Sequence, residues 1–250
     1  IKRYSSNFTF SILLFICLGL YVSNFAAMKQ AIAMAILTLA IQKLLDKKYI
    51  FFYLLVFVAI LFHTYAIMFV ILPLFTRKPW TLITYITIIA VLFILFTFEP
   101  TLTSILDYAE ELGKEINETE VFETQSINLF RLAVFSVPPL ISFLFQSRLK
   151  PYLSRIENVM INMSILSFLV MSIGLASAAN LFGRSAIYFE IGTIVSLPWL
   201  IQKLFEPRSA RLVCIIACLF YFVFFLYDVQ GWATNYHAIG IGEFISSILS

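Results

Sequence analysis

An all-α, polytopic integral membrane protein is what this sequence predicts: about seven transmembrane helices plus one re-entrant helical hairpin, in a single domain covering residues 1–250. Three observations carry that expectation. Of the 250 residues, 61% are hydrophobic and 12% charged, and the mean hydropathy is +0.95, whereas soluble domains carry about 25% charged residues. The stretch Tyr49–Phe75, YIFFYLLVFVAILFHTYAIMFVILPLF, runs for 27 residues without a formal charge. The third observation is how the basic residues divide among the loops.

A helix as long as Tyr49–Phe75 rises ~40 Å, against ~30 Å for the hydrocarbon core of a bilayer. The stretch is therefore either one tilted span or two half-helices that enter and leave on one face. Basic residues accumulate on cytoplasmic loops, so their distribution discriminates. With the N-terminus inside because of Lys2 and Arg3, a single crossing places Lys29, Arg77, Lys78, Arg148, Lys150, Arg155, Lys203, Arg208 and Arg211 outside. That is 9 of the 17 basic residues, which is no bias. A hairpin returns all of these except Lys29 to the inside, where Lys2, Arg3, Lys43, Lys47 and Lys48 already lie, and leaves Lys29, Lys114, Arg131 and Arg184 outside. Thirteen against four is a normal positive-inside pattern. It selects the hairpin.

The elements follow in order. The chain opens on IKRYSSNF without an initiator Met and reads as the C-terminal part of a longer protein, N-terminally incomplete. Apolar runs at Phe8–Ser23, Ala26–Leu45, Trp80–Phe98, Ile127–Gln146, Val159–Ala178, Ser185–Gln202 and Leu212–Tyr227 are the seven expected spans, the first and last of them short. Ser23-Asn24 reads as a tight turn between the first two, and Pro138-Pro139 and Pro198 as kinks. The stretch 174–179 is a small-residue patch that admits a close helix neighbour. Residues 99–126 form an acidic external loop, partly helical and lying over the outer mouth, in which Asn117-Glu-Thr spells a glycosylation sequon. Residues 229–250 form a short external or interfacial tail.

Composition also excludes functions. The +3 net charge reports sidedness and calls for no nucleic acid. Cys17, Cys214 and Cys218 sit in apolar runs, so they give no disulfide framework, and two thiols on one helix face without a third ligand pack rather than bind metal. There is no Gly-rich phosphate loop and no Asp-x-Asp metal pair, which argues against a nucleotide-sugar donor. No metal and no cofactor is expected.

Three basic residues remain in or beside the spans: Lys29, Arg131 and Arg184, expected at one depth on the external side. A cation there costs a few kcal/mol unless it snorkels to headgroups, pairs, or faces an anion. These three read either as snorkelling or paired cations, with Glu99, Glu190 and Asp228 the nearest carboxylates, or as a site for phosphate or pyrophosphate. Lys and Arg hold such groups through charge-assisted hydrogen bonds. His63 stands at the hairpin tip, ~20 Å from the cytoplasmic face. It either packs there or joins the site, because irregular backbone at that depth needs a protein- or water-lined cavity.

Four segments then point to a family. Met28-Lys-Gln-Ala-Ile-Ala-Met-Ala-Ile36, Lys47-Lys48-Tyr49, Ala59-Ile-Leu-Phe-His63-Thr-Tyr-Ala66 and Asn180-Leu-Phe-Gly-Arg184-Ser-Ala-Ile-Tyr188-Phe189 resemble, in this order, the EpsG/Wzy-type polysaccharide polymerases of bacteria. The resemblance extends from about Phe8 to Tyr227, and the family more often has Arg where this chain has Lys29. It implies a GT-C-like, metal-independent glycosyltransferase of the bacterial inner (plasma) membrane with an external or periplasmic active face. Such enzymes join oligosaccharide repeat units carried on undecaprenyl pyrophosphate into capsule, exopolysaccharide or O-antigen. Carried over by position, Lys29, Arg184 and Arg131 hold the pyrophosphate, with Gln30 and Tyr188 contacting it or a sugar. His63 is the catalytic residue, either a general base on the acceptor hydroxyl or a donor to the diphosphate. The implied partners are the lipid-linked oligosaccharide, the bilayer, a chain-length regulator and a flippase. A ligase of the O-antigen type would use the same cationic site. A transporter of polysaccharide or lipid-linked glycan, the alternative from another class, tends to show inverted repeats and midplane ionisable relays, and this sequence has neither.

Overall fold

The computed structural model describes residues 1–111, 127–176 and 179–235, and among them the chain forms helices and turns with no strand. Residues 112–126 of the expected acidic loop, the Asn117 sequon included, and 236–250 of the expected tail lie outside the described residues.

Helix α1, Phe8–Cys17, starts where Asn7 Oδ1 accepts the Phe10 amide at 3.1 Å, an ordinary N-cap. It breaks at Gly19, and α2, Leu20–Ala26, leaves at 52° to it. The expected turn at Ser23-Asn24 is not there: both residues lie inside α2, with the Ser23 hydroxyl donating to the Gly19 carbonyl at 2.8 Å. The break before α3 falls at Ala27 instead, and the first run bends within itself at Gly19, at φ 82, where a side chain would be strained and where a Cβ would stand 3.3 Å from Asp228 Oδ2. Helix α3, Met28–Leu45, follows directly after Ala27.

Lys47, at φ 59, reverses the chain, and α4, Tyr49–Phe62, packs along α3. Ala33, Leu37, Ala40 and Leu44 of α3 meet Phe52, Val56 and Ala59 of α4 in one buried cluster. At His63 the backbone becomes extended, and the chain returns as a 3-10 helix, Thr64–Phe75. Phe52 and Phe69 stack with ring centroids 6.3 Å apart. In one straight helix they would stand ~25 Å apart at 1.5 Å per residue. The stretch therefore folds back on itself. Its return leg is unusually long for a 3-10 helix, and the sequence explains why: Ala66, Phe69, Leu72 and Phe75 recur every third residue, the 3-10 period, and all four are buried.

Helix α5, Leu82–Glu111, runs on past Phe98 into residues expected as loop. Helix α6, Leu129–Leu144, carries Pro138 and Pro139 inside it, both buried. Helix α7, Arg155–Ile173, opens with a capping box in which Ser154 and Glu157 exchange side-chain and backbone hydrogen bonds. The expected run Ser185–Gln202 divides between α8, Ala179–Ala186, a 3-10 turn, Ile187–Phe189, and α9, Glu190–Leu204. Helix α10, Pro207–Asn235, is last.

The helix α7 is the central post: 83% of its apolar window is buried, against 11% for α10. Gly192 lets α9 approach it, since a Cβ there would lie 2.4 Å from Met163 Cβ and 2.6 Å from the Met160 carbonyl. The outer helices turn apolar side chains outward, among them Ile50, Leu61, Leu212 and Leu219, as helices facing lipid do. Among the described residues, α3, α7 and Pro207–Val229 of α10 are long and apolar enough to cross a membrane, and α1 with α2 makes a fourth if the bent pair is one broken span. Tyr49–Phe62, Thr64–Phe75, Leu82–Thr97 and Leu129–Leu144 are apolar but shorter.

Polar contacts sort the helix ends into two layers. At one end Arg155 Nη2 donates to the Leu44 carbonyl at 3.0 Å, and Asn162 Nδ2 donates to the carbonyls of Phe75 and Arg77 at 2.7 and 2.8 Å. Lys150 reaches the Trp80 carbonyl, Gln202 the Ser6 carbonyl, and Lys203 pairs with Glu157 at 2.9 Å. Both feet of the hairpin, Lys47-Lys48 and Arg77-Lys78, thus belong to this basic end. The opposite end holds the hairpin tip, the start of α3, α8, and the pair Arg131–Asp228.

Candidate active site

His63 is pinned by the backbone on both sides. Its amide bonds the Ala59 carbonyl at 3.0 Å to finish α4, and its own carbonyl accepts from Ala66 at 3.0 Å to begin the 3-10 leg. The ring meets Tyr65 edge-on at 5.1 Å, and Nδ1 lies 2.6 Å from the Tyr188 hydroxyl. Tyr188 is held in place by its neighbour: Phe189 stacks on Phe69 of the return leg at 5.6 Å, docking the α8–α9 turn onto the hairpin. The helical segment that brings Tyr188 also brings Arg184, whose charge acts on both His63 and Tyr188.

Gln30 ties α3 to this assembly. It is 3% exposed, and its Nε2 donates to the Arg184 carbonyl at 2.9 Å. Lys29, one position earlier and so ~100° around the helix, is exposed. Phe25, Met28, Lys29, Gln30, His63 and Arg184 line an open cavity of about 320 Å³, within the ~300–1,000 Å³ common for small-molecule sites. Among the described residues neither Lys29 nor Arg184 has a carboxylate partner. The cavity therefore presents two uncompensated cations beside a histidine, the composition of an anion site.

Arg131 is elsewhere. Its Nη1 lies 2.9 Å from Asp228 Oδ1, joining α6 to α10, and its guanidinium covers the Phe135 ring at 5.7 Å. The charges of Arg131 and Asp228 act on Glu190, which is 1% exposed and leaves one carboxyl oxygen unpartnered. Of the three cations singled out from the sequence, two line one cavity and the third is in an ion pair. The side chain of Glu99 lies outside the described residues. A second cavity, about 370 Å³, opens at the basic end between Arg148, Leu149, Tyr152 and Lys203. Although larger, it holds a Lys203 already neutralised by Glu157.

A family model matches residues 1–238, and its description is the EpsG family. The chain belongs to the EpsG family. Membership makes it a bacterial membrane protein of polysaccharide biosynthesis, a polymerase of the glycosyltransferase kind. No curated protein and no solved structure matches the chain. The four segments that carried the resemblance supply one foot of the hairpin, Lys47-Lys48, the hairpin tip and the two walls of the cavity in this EpsG protein. Asn162 escaped the sequence reading although it clamps one foot of the hairpin. Its signal was an amide in the middle of an apolar run, a residue type that is costly to bury; its Nδ2 makes both bonds, and its Oδ1 is left without a partner among the described residues.

Proposed function

We propose that this EpsG protein polymerises undecaprenyl-pyrophosphate-linked oligosaccharide repeat units into capsular, exopolysaccharide or O-antigen polymer at the external face of the plasma membrane. In this reading the α1–α2 pair, α3, α5, α6, α7, α9 and α10 cross the bilayer, and α4 with its 3-10 leg re-enters from the cytoplasmic side. Two things support that topology: both feet of the hairpin stand at the end where Arg155, Lys150 and Lys203 gather, and their four basic residues fit a cytoplasmic layer.

The observation that carries the chemistry is the cavity in which Lys29 and Arg184 face the same space without a carboxylate partner among the described residues. When a glycan is transferred, the acceptor hydroxyl oxygen bonds to the anomeric carbon and the bond from that carbon to the diphosphate oxygen breaks. The electron pair leaves with the lipid diphosphate, and the hydroxyl proton passes to the released diphosphate or to water. Negative charge therefore grows on the diphosphate, where fixed cations in a poorly solvated site are worth most. Arg184 offers a planar fork for two phosphate oxygens and Lys29 a point charge. Gln30 acts through Arg184, and Arg131 shapes the outer end of the bundle through Asp228. A flippase delivering the lipid-linked units and a chain-length regulator are the partners this chemistry calls for.

The test is reconstitution. Purified protein in nanodiscs, given an undecaprenyl-diphosphate-linked repeat unit, is expected to produce a polymer ladder and to release undecaprenyl diphosphate in step with each linkage. Polymer formed only from a nucleotide sugar would overturn the reading.

A further inference from the structure

Among the described residues the His63 ring is hydrogen-bonded through one nitrogen, and the direction of that hydrogen bond decides what the other nitrogen can do. Nδ1 and the Tyr188 hydroxyl are 2.6 Å apart, and the phenol, 3% exposed, has no second hydrogen-bond partner among the described residues. A buried hydroxyl with a single acceptor in reach turns its proton toward that acceptor, because the alternative leaves the proton unpaired away from water. A neutral imidazole donates from one nitrogen and accepts at the other. If Tyr188 donates to Nδ1, the ring proton sits on Nε2. Ring rotation is opposed by Tyr65, which stands edge-on at 5.1 Å, and the backbone is fixed by hydrogen bonds on both sides of His63. Nε2 is then the ring nitrogen left for the cavity that His63 lines with Lys29 and Arg184.

We propose that Tyr188 is a positioning residue that holds His63 in the Nε2–H form, so that His63 meets an anionic oxygen in the cavity as a third hydrogen-bond donor rather than as a proton acceptor. That the oxygen belongs to a diphosphate rests on the function proposed above; the placement of the proton does not. In this arrangement no bond to His63 forms or breaks. The three donors differ in kind: a point charge from Lys29, a fork from Arg184, and one directed N–H from His63.

The experiment uses the full chain in nanodiscs with ring-¹⁵N histidine. The chain has two histidines, so a His237→Gln background leaves His63 as the single reporter. At about pH 8, where imidazole is ordinarily neutral, the expected spectrum has a protonated Nε2 and a hydrogen-bonded, unprotonated Nδ1. Tyr188→Phe is expected to remove the Nδ1 hydrogen-bond shift and to mix the two ring forms. Inorganic pyrophosphate is expected to move the Nε2 signal. A proton found on Nδ1, or an Nε2 signal indifferent to pyrophosphate, overturns the proposal. In the polymer assay His63→Gln, whose amide also donates, is expected to stay within about tenfold of the parent, while His63→Leu falls at least ~100-fold, in the range reported for losing one preorganised donor. An equal fall of both variants overturns the donor role. Absence of polymer from the parent protein counts against the polymerase reading alone, and the spectra still decide the position of the proton.

Discussion

The buried amide of Gln30 donates to the main-chain carbonyl of Arg184 across a separation of 154 positions. This bond joins the start of α3 to α8, the two walls that carry Lys29 and Arg184, neither of which has a carboxylate partner among the described residues. It fixes the backbone from which the guanidinium projects, while leaving the guanidinium itself free for a ligand.

Replacing Gln30 should therefore impair catalysis without removing any charge. Gln30→Leu keeps the volume but deletes the donor, leaving the Arg184 carbonyl unpaired at a cost of ~1–3 kcal/mol. The expected result is a polymer yield ~10–100-fold lower, since small displacements of positioned groups have effects of that size, with protein still present in the membrane. Parent-level activity in Gln30→Leu would show that the bond is structural decoration.

Arg131 and Arg184 should separate in the same assay. Arg184→Ala is expected to lower polymerisation by ~100-fold or more, the usual loss for one preorganised donor facing developing charge. Arg184→Lys should recover part of it, because Lys keeps the charge but not the planar fork. Arg131→Ala should instead lower the unfolding temperature, by stranding Asp228 beside the buried Glu190. Pyrophosphate binding by the folded fraction should persist. Loss of pyrophosphate binding in a well-folded Arg131→Ala protein would restore that residue to the site.

That Tyr49–Phe75 folds back was legible as one of two readings of a charge-free stretch too long for one upright span, and Phe52 stacked on Phe69 shows it; the sidedness inferred from the basic residues belongs to the proposed topology. Lys29, Arg184 and His63, which line the candidate cavity, were conspicuous in the sequence as ionisable groups in an apolar setting. What sequence could not convey was which cations already had partners. Arg131 and Arg184 have the same side chain at a similar distance from a helix end, and only the crossing of α6 and α10 brings Asp228 to one of them. The turn before α3 was misplaced, and the bend at Gly19 missed, for a related reason. Ser23-Asn24 has turn chemistry in isolation, but a hydroxyl back-bonded to the Gly19 carbonyl sits comfortably in a helix, and Gly19 was needed where the chain passes Asp228.

Sidedness can be read by labelling single cysteines in a background with Cys17, Cys214 and Cys218 replaced. Lys47→Cys and Lys78→Cys stand at the two feet of the hairpin and should both react only with a reagent supplied to the cytoplasmic side. Phe25→Cys, exposed at the cavity rim, should react only from outside. Labelling of positions 47 and 78 from opposite sides would turn the hairpin into a crossing and invert every loop after it.

Gly192 provides a test of the scaffold that bears on no catalytic group. Helix α9 lies so close to α7 that a methyl group at this position would sit 2.4 Å from Met163 Cβ, 2.6 Å from the Met160 carbonyl and 2.7 Å from the Ser164 amide nitrogen. Two of those three neighbours are backbone, so rotamer changes cannot relieve the clash and the helices must part. Gly192→Ala is expected to destabilise by at least ~1–3 kcal/mol, the range for overpacking a tight core. It should lower the thermal midpoint measured in detergent and reduce the amount of folded protein. Ser196, one turn along α9, is the control. Its hydroxyl is buried without a partner, so Ser196→Ala removes an unsatisfied group and should be neutral or stabilising. A Gly192→Ala protein as stable as the parent would mean that α7 and α9 do not pack this closely, and the route that carries Tyr188 to His63 would then need redrawing.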